Sequence, residues 1–229
     1  MIEAILFDMD GVLADSEVMW NEIDGAMLAE CGVQYHGEHK AQVLGKSFPI
    51  ALQFYIDTYD LPRTVAQLNA RRTAIAIDYY GSKIDVFPDV HGVLSALRVR
   101  EIPLGVATSS VGALIRPFLQ RHGIAERFKA IVTGEEVTRG KPHPDIYLKA
   151  AEKVGVAPEK CLVVEDALAG IEAGKSAGMT VVAIPDPRFS DVSLYPGQCD
   201  YILDNLGELT ALVDQLRKGL NHAKTQRIM

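Results

Sequence analysis

The sequence predicts an α/β fold: a doubly wound, mostly parallel sheet with an inserted all-helical segment. Three observations carry this expectation. An apolar run, Ala4-Ile5-Leu6, opens the chain and reads as a buried strand. From Val90 onward, short apolar runs alternate with stretches of helical periodicity, as in βαβ units. Between the two, residues 16–86 show helical periodicity and no convincing strand.

The first strand runs into Phe7-Asp8-Met9-Asp10-Gly11-Val12. Helical spacing then recurs at Trp20, Ile23 and Met27, at Ile50, Phe54 and Ile56, and at Val65, Leu68, Ile75 and Tyr79. Arg71-Arg72 in the last of these reads as a solvated helix face. The chain returns near Phe87-Pro88, so the expected domains are an α/β core, 1–15 with 87–229, and a helical domain, 16–86. Val90, Val93, Leu94 and Leu97 form a helical stripe before a strand, Leu104-Gly105-Val106-Ala107. Leu114, Ile115, Phe118 and Leu119 form the next, with Gly123 as its stop signal. Ala130-Ile131-Val132-Thr133 is another strand, and Asp145 opens a helix that Gly155 ends. Cys161-Leu162-Val163-Val164 is followed by a small-residue helix, 167–177, and a strand, 180–184. A short strand near Tyr201-Ile202-Leu203 and a helix from Leu206 to Leu216 complete the pattern; the polar tail, 219–229, is expected to fray.

Composition sets limits on partners. The chain has 229 residues, 48% hydrophobic, enough for one α/β core and a smaller insertion. A net charge of −7 argues against nucleic acid as a partner. No apolar run approaches membrane-spanning length, and Glu3 stands where a signal peptide would be basic. The three cysteines, Cys31, Cys161 and Cys199, lack metal-ligand spacing and fit a reducing cytoplasm. The expectation is a cytoplasmic protein with no membrane partner, a monomer or weak dimer.

Chemistry concentrates at the strand ends, where open α/β sheets bind their ligands. The first strand ends in paired carboxylates, Asp8 and Asp10, followed by Gly11; the second ends in Thr108-Ser109-Ser110; a later one ends in Glu165-Asp166. A loop, Gly140-Lys141-Pro142, adds a lysine. A carboxylate can attack phosphorus if a cation offsets its charge and a second group handles the proton. Carboxylate oxygens suit Mg²⁺, and hydroxyls with a lysine suit phosphoryl oxygens. Together these residues predict a phosphate site built around a divalent cation. For the hydroxyls, capping of the helix after Val111 is the structural alternative, and for Asp166 capping of helix 167–177. For Lys141 it is a solvated side chain.

The four segments Asp8-Met9-Asp10-Gly11, Ala107-Thr108-Ser109-Ser110, Gly140-Lys141-Pro142 and Glu165-Asp166 resemble the four motifs of the haloacid dehalogenase-like (HAD) superfamily. Gly170-Ile171-Glu172-Ala173-Gly174 and Ala177-Gly178-Met179 resemble its subgroup of β-phosphoglucomutase and small sugar- and nucleotide-phosphate phosphatases, and the stretches around Val43-Leu44-Gly45-Lys46, Ile102-Pro103 and Glu159-Lys160-Cys161-Leu162 resemble pseudouridine-5′-phosphatase. The resemblance implies a Rossmannoid core with a helical cap closing over the site. It implies that Asp8 is nucleophile and metal ligand, and that Asp10 is general acid and base, its carbonyl also on the metal. Lys141 would be catalytic, Asp166 a metal ligand, and Glu165 a ligand or its support. Gly11, Thr108, Ser109 and Ser110 would contact the phosphoryl group, and Gly45 and Lys46 would belong to a specificity loop of the cap. Asp10 favours phosphate-ester chemistry, because a halide leaving group needs no acid. Trp20 stands where β-phosphoglucomutase carries a histidine, and an indole cannot accept a proton. The resulting expectation is a Mg²⁺-dependent phosphatase acting on a small-molecule phosphate ester. A sugar phosphomutase is the first alternative, and a non-catalytic binding protein the second.

Overall fold

The computed structural model describes residues 1–36, 48–219 and 226–227. Seven strands make one sheet: β1 (Ala4–Phe7), β2 (Leu104–Ala107), β3 (Ala130–Val132), β4 (Cys161–Glu165), β5 (Thr180–Ala183), β6 (Tyr201–Ile202) and β7 (Gln226–Arg227). Their order is β3-β2-β1-β4-β5-β6-β7, and every pair is parallel. The tail expected to fray therefore contributes backbone pairing at Gln226 and Arg227, against Tyr201 and Ile202.

The chain divides into two compact units, one of Met1–Asp15 with Val86–Met229 and one of Ser16–Asp85. Val86 belongs with the α/β unit because it bridges to Ala14, one residue earlier than the sequence suggested. In the α/β unit, β1, β2 and β4 are buried along their whole length, as strands covered on both faces must be. The covering helices are α4 (Val90–Val99), α5 (Gly112–Arg121), α6 (Asp145–Val154), α7 (Leu168–Ser176) and α8 (Leu209–Arg217), numbered after the three helices of the other unit. In α6, Ile146, Tyr147, Ala150, Ala151 and Val154 form the buried stripe. Gly155, at φ 77°, closes that helix by donating its N–H to the carbonyls of Ala151 and Glu152.

Strand order places the site. β1 sits at the middle of the sheet, with β2 and β3 on one side and β4 to β7 on the other. The connections after β1 and β4 therefore leave in opposite directions, which opens a crevice at the strand ends. Phe7 is in register with Val106 and with Val164, so Asp8 and Glu165 emerge side by side at the rim.

The helical unit holds α1 (Glu17–Ala29), α2 (Phe48–Tyr59) and α3 (Val65–Ser82). Thr64 and Gln67 form a reciprocal cap at the start of α3. Arg72 corrects the sequence reading. Arg71 is exposed and pairs with Glu30, but Arg72 is buried. Its Nε donates to Asp24 Oδ1 at 2.6 Å, and its guanidinium lies 4.1 Å from the centre of the Trp20 ring. Tyr55 donates its hydroxyl to the other Asp24 oxygen at 3.2 Å. Trp20 is thus a core residue of this unit. Removing one partner of a buried pair strands the other's charge, so Asp24→Ala should destabilise the protein by about 3 kcal/mol. A lowered urea midpoint checks this; an unchanged midpoint means Trp20 and water suffice for Arg72.

Candidate active site

β1 ends in a tight turn. Asp8 donates its N–H to the Val164 carbonyl at 2.9 Å, which stitches it to β4. Leu13 and Ala14 donate to the Met9 carbonyl, and Gly11 donates to that of Ala14. Gly11 adopts φ 77°, the left-handed region glycine tolerates. It also faces Asp166 closely: a Cβ at Gly11 would stand 2.0 Å from Asp166 Oδ2. The turn therefore needs glycine for its backbone and for its neighbour.

Four of the expected residues converge. Asp8 and Glu165 are buried. Lys141 Nζ lies between them, 2.7 Å from Asp8 Oδ1 and 2.6 Å from Glu165 Oε1. With only 9% of its side chain exposed, Lys141 is not a solvated lysine. Asp8, Glu165 and Asp166 each offer an oxygen, all within 4.8 Å of one another. Burial pushes the Asp8 carboxyl up, to about 7; Lys141 opposes that, and the charges of Glu165 and Asp10 add to it. Burial alone would push the Lys141 ammonium down, but the carboxylates of Asp8 and Glu165 outweigh it and hold it above its ordinary value.

Glu165 is engaged on both oxygens. Oε1 accepts from Lys141 and from the Tyr147 hydroxyl, and Oε2 accepts from the backbone N–H groups of Asp166 and Ala167. Its carboxylate occupies the space beside Gly170, where a Cβ would stand 1.7 Å from Oε1. The Asp166 carbonyl accepts from Tyr195 Oη at 2.6 Å.

Asp10 and the hydroxyl segment meet on the other side of β1. Ser110 Oγ donates to Asp10 Oδ2 at 2.8 Å. Thr108 is buried, and its Oγ1 accepts from the Ser110 N–H at 3.0 Å. Ser109 is exposed at the strand end. Neither capping alternative is observed: the N-cap positions of α5 and α7 are Val111 and Ala167, and the N–H groups of Gly112 and Ala167 go to Glu135 Oε2 and Glu165 Oε2. Gly45 and Lys46 lie outside the described residues. Sequence reading missed Tyr147 and Tyr195. Tyr147 shows only as a tyrosine on an apolar helix stripe and Tyr195 as a tyrosine before Pro196-Gly197, and the useful signal is that a buried phenol needs a hydrogen-bond partner.

The haloacid dehalogenase-like hydrolase family model matches residues 5–184. The chain belongs to this family. The matched span runs from β1 through β5, so it includes Asp8, Asp10, Lys141, Glu165 and Asp166. The "Probable pseudouridine-5'-phosphatase" of Drosophila melanogaster is 35% identical over 81% of this chain and 82% of its own length. The "Bifunctional riboflavin kinase/FMN phosphatase" of Arabidopsis thaliana is 32% identical over 79% of this chain, which spans 48% of that relative. Among solved structures, CbbY from Rhodobacter sphaeroides in complex with phosphate superposes with a TM-score of 0.78 at 26% identity, covering 91% of this chain and 96% of its own. Among the described residues, no helix is long and apolar enough to cross a membrane.

Proposed function

We propose that this HAD-like hydrolase is a Mg²⁺-dependent phosphatase of a small organic phosphate monoester, a sugar phosphate or nucleotide-like compound. The observation that carries the reading is the Lys141 ammonium seated between Asp8 and Glu165 at a strand end, with Asp10 close by on its own hydroxyl partner. Relatives named as phosphatases of phosphorylated carbohydrates and hexitols support the substrate class.

Asp8 attacks phosphorus. A bond forms between its carboxylate oxygen and phosphorus as the ester P–O bond breaks, and Asp10 gives its proton to the leaving oxygen. Water then attacks the aspartyl-phosphate; Asp10 takes the water's proton, and the Asp8–phosphorus linkage breaks to release inorganic phosphate. Lys141 offsets charge on Asp8 and on the phosphoryl oxygens. Thr108, Ser109 and Gly11 line the phosphoryl position, and Ser110 orients Asp10.

The hard oxygen donors of the acidic cluster fit Mg²⁺. Asp8, Asp166 and the Asp10 carbonyl would hold the ion, and Glu165, with its oxygens already engaged, supports Lys141 and the Asp166 backbone. When bound, the cation neutralises charge among the carboxylates and the phosphate. The unit Ser16–Asp85 is the helical cap, with Gly45 and Lys46 in its specificity loop.

Trp20 favours hydrolysis over a mutase reaction. Its indole carries no proton acceptor, and it packs under Arg72. The protein should release inorganic phosphate steadily from at least one sugar phosphate, nucleoside monophosphate or glycerol phosphate, and stop in excess chelator. Incubation with Mg²⁺ and β-glucose 1-phosphate, following glucose 6-phosphate and phosphate separately, tests the choice. Rapid glucose 6-phosphate formation that depends on an added sugar bisphosphate activator, without phosphate release, would make it a mutase.

A further inference from the structure

Tyr147 is fully buried on α6, on the same stretch of chain as Lys141. Its hydroxyl lies 2.6 Å from Glu165 Oε1, the same oxygen that takes Lys141 Nζ at 2.6 Å. The ammonium also lies 5.1 Å from the centre of the Tyr147 ring, within cation–π range. One tyrosine therefore acts on one lysine twice, through its ring and through the shared carboxylate.

We propose that Tyr147 is a positioning residue: its hydroxyl pins Glu165 so that the Lys141 ammonium stays against Asp8. The kinetic consequence rests on the phosphatase reading above; the structural consequence rests on this geometry alone. Asp8 and Glu165 compete as acceptors for the ammonium. Nζ is shared nearly evenly, 2.7 Å to Asp8 and 2.6 Å to Glu165. Glu165 Oε1 has two donors, so part of its charge is already satisfied by the phenol. Without that hydroxyl, Glu165 becomes a stronger acceptor for Lys141 and a looser side chain, and the ammonium moves off Asp8. Gly170 works in the same direction, since its missing Cβ leaves the space that the Glu165 carboxylate fills. Burial and the surrounding carboxylates push the Tyr147 phenol well above its ordinary value, so it remains a donor at neutral pH.

Tyr147→Phe removes the hydroxyl and keeps the ring. Kinetics with Mg²⁺ on a small phosphate ester such as acetyl phosphate should show kcat reduced about tenfold, the usual effect of one hydrogen bond to a charged group. KM and the Mg²⁺ half-saturation should stay within about twofold, because Glu165 Oε2 keeps the N–H groups of Asp166 and Ala167 and so keeps the Asp166 turn in place. A purely structural role would instead lower Tm and leave kcat of the folded fraction unchanged. The second readout needs no turnover. In protein with ¹⁵N-labelled lysine, the Lys141 ammonium signal is identified by its loss in Lys141→Ala. It should be protected from exchange in the wild type and lose that protection in Tyr147→Phe. An unchanged kcat together with unchanged protection would overturn the proposal. If the wild type hydrolyses no phosphate ester, the phosphatase reading fails, and the ammonium signal alone decides: retained protection in Tyr147→Phe rejects the positioning role, and lost protection supports it.

Discussion

Asp8→Asn is expected to lower turnover by more than about 10⁴-fold while the protein stays folded, the scale on which loss of a nucleophile is felt. The amide keeps the shape of the carboxylate but cannot form the bond to phosphorus. Stability should change little. Asp8 is buried beside Glu165 and near Asp10, and burial holds its carboxyl above its ordinary value against the opposing pull of Lys141. An acid whose pKa is raised by folding binds more protons in the native state than in the unfolded chain. Ionising it therefore weakens the metal-free fold as pH rises from the ordinary carboxylate range towards 7. The amide never carries that charge, while Lys141 loses the Asp8 charge but keeps Glu165, so the two effects oppose and the metal-free variant should melt close to the wild-type temperature near pH 7. Metal-dependent activity above a trace in Asp8→Asn means that another group attacks phosphorus.

Lys141→Ala should cost ~10²–10³ in rate, the common price of removing one preorganised charge-stabilising contact. Two losses combine here. The phosphoryl oxygens lose a cation, and Asp8 loses the partner that holds its charge in a buried site. Glu165 also loses a donor from Oε1 but keeps Tyr147 and two backbone N–H groups. The rate should therefore fall further than the melting temperature does. Comparable rates for variant and wild type would mean that Lys141 only balances charge in the fold.

Much of the fold was legible because each strand is a local apolar run that ends in polar residues. Ala4-Ile5-Leu6 before Asp8, and Cys161 to Val164 before Glu165, expose the change from buried strand to site within a few residues. Parallel strands buried on both faces leave little ambiguity of this kind. The helical unit was harder to read. Arg72 stands next to Arg71 in sequence, and the pair looks solvated. Yet Leu68, Arg72, Ile75 and Ala76 share one helical stripe, all buried, and the stripe was the better guide. Its acidic partner, Asp24, lies on another helix, a distance in sequence that no local pattern spans.

The site was legible in its residue types and less so in its division of labour. Nothing in Glu165-Asp166 says that Glu165 is the carboxylate on which Lys141, Tyr147 and two backbone N–H groups converge; that depends on α6 and the turn into α7. Thr108, Ser109 and Ser110 look interchangeable as hydroxyls. Only the path of the chain after β2 aims Ser110 at Asp10, folds Thr108 back on the Ser110 backbone and leaves Ser109 exposed. Tyr147 occupies a core position of an amphipathic helix, where the ring satisfies the periodicity and hides the hydroxyl's role.

The central claim is that phosphorus is carried covalently by Asp8. The most direct measurement is rapid acid quenching of Asp10→Asn with Mg²⁺ and acetyl phosphate, followed by peptide mass analysis. The acetate leaving group needs no acid, so the first step proceeds, and without the Asp10 base the second step is slow. The peptide containing Asp8 should gain the mass of one phosphoryl group, and that gain should vanish when Asp8→Asn is added. Phosphate release with no phosphoryl group on that peptide at any quench time, or a phosphoryl group on a different residue, would contradict the account.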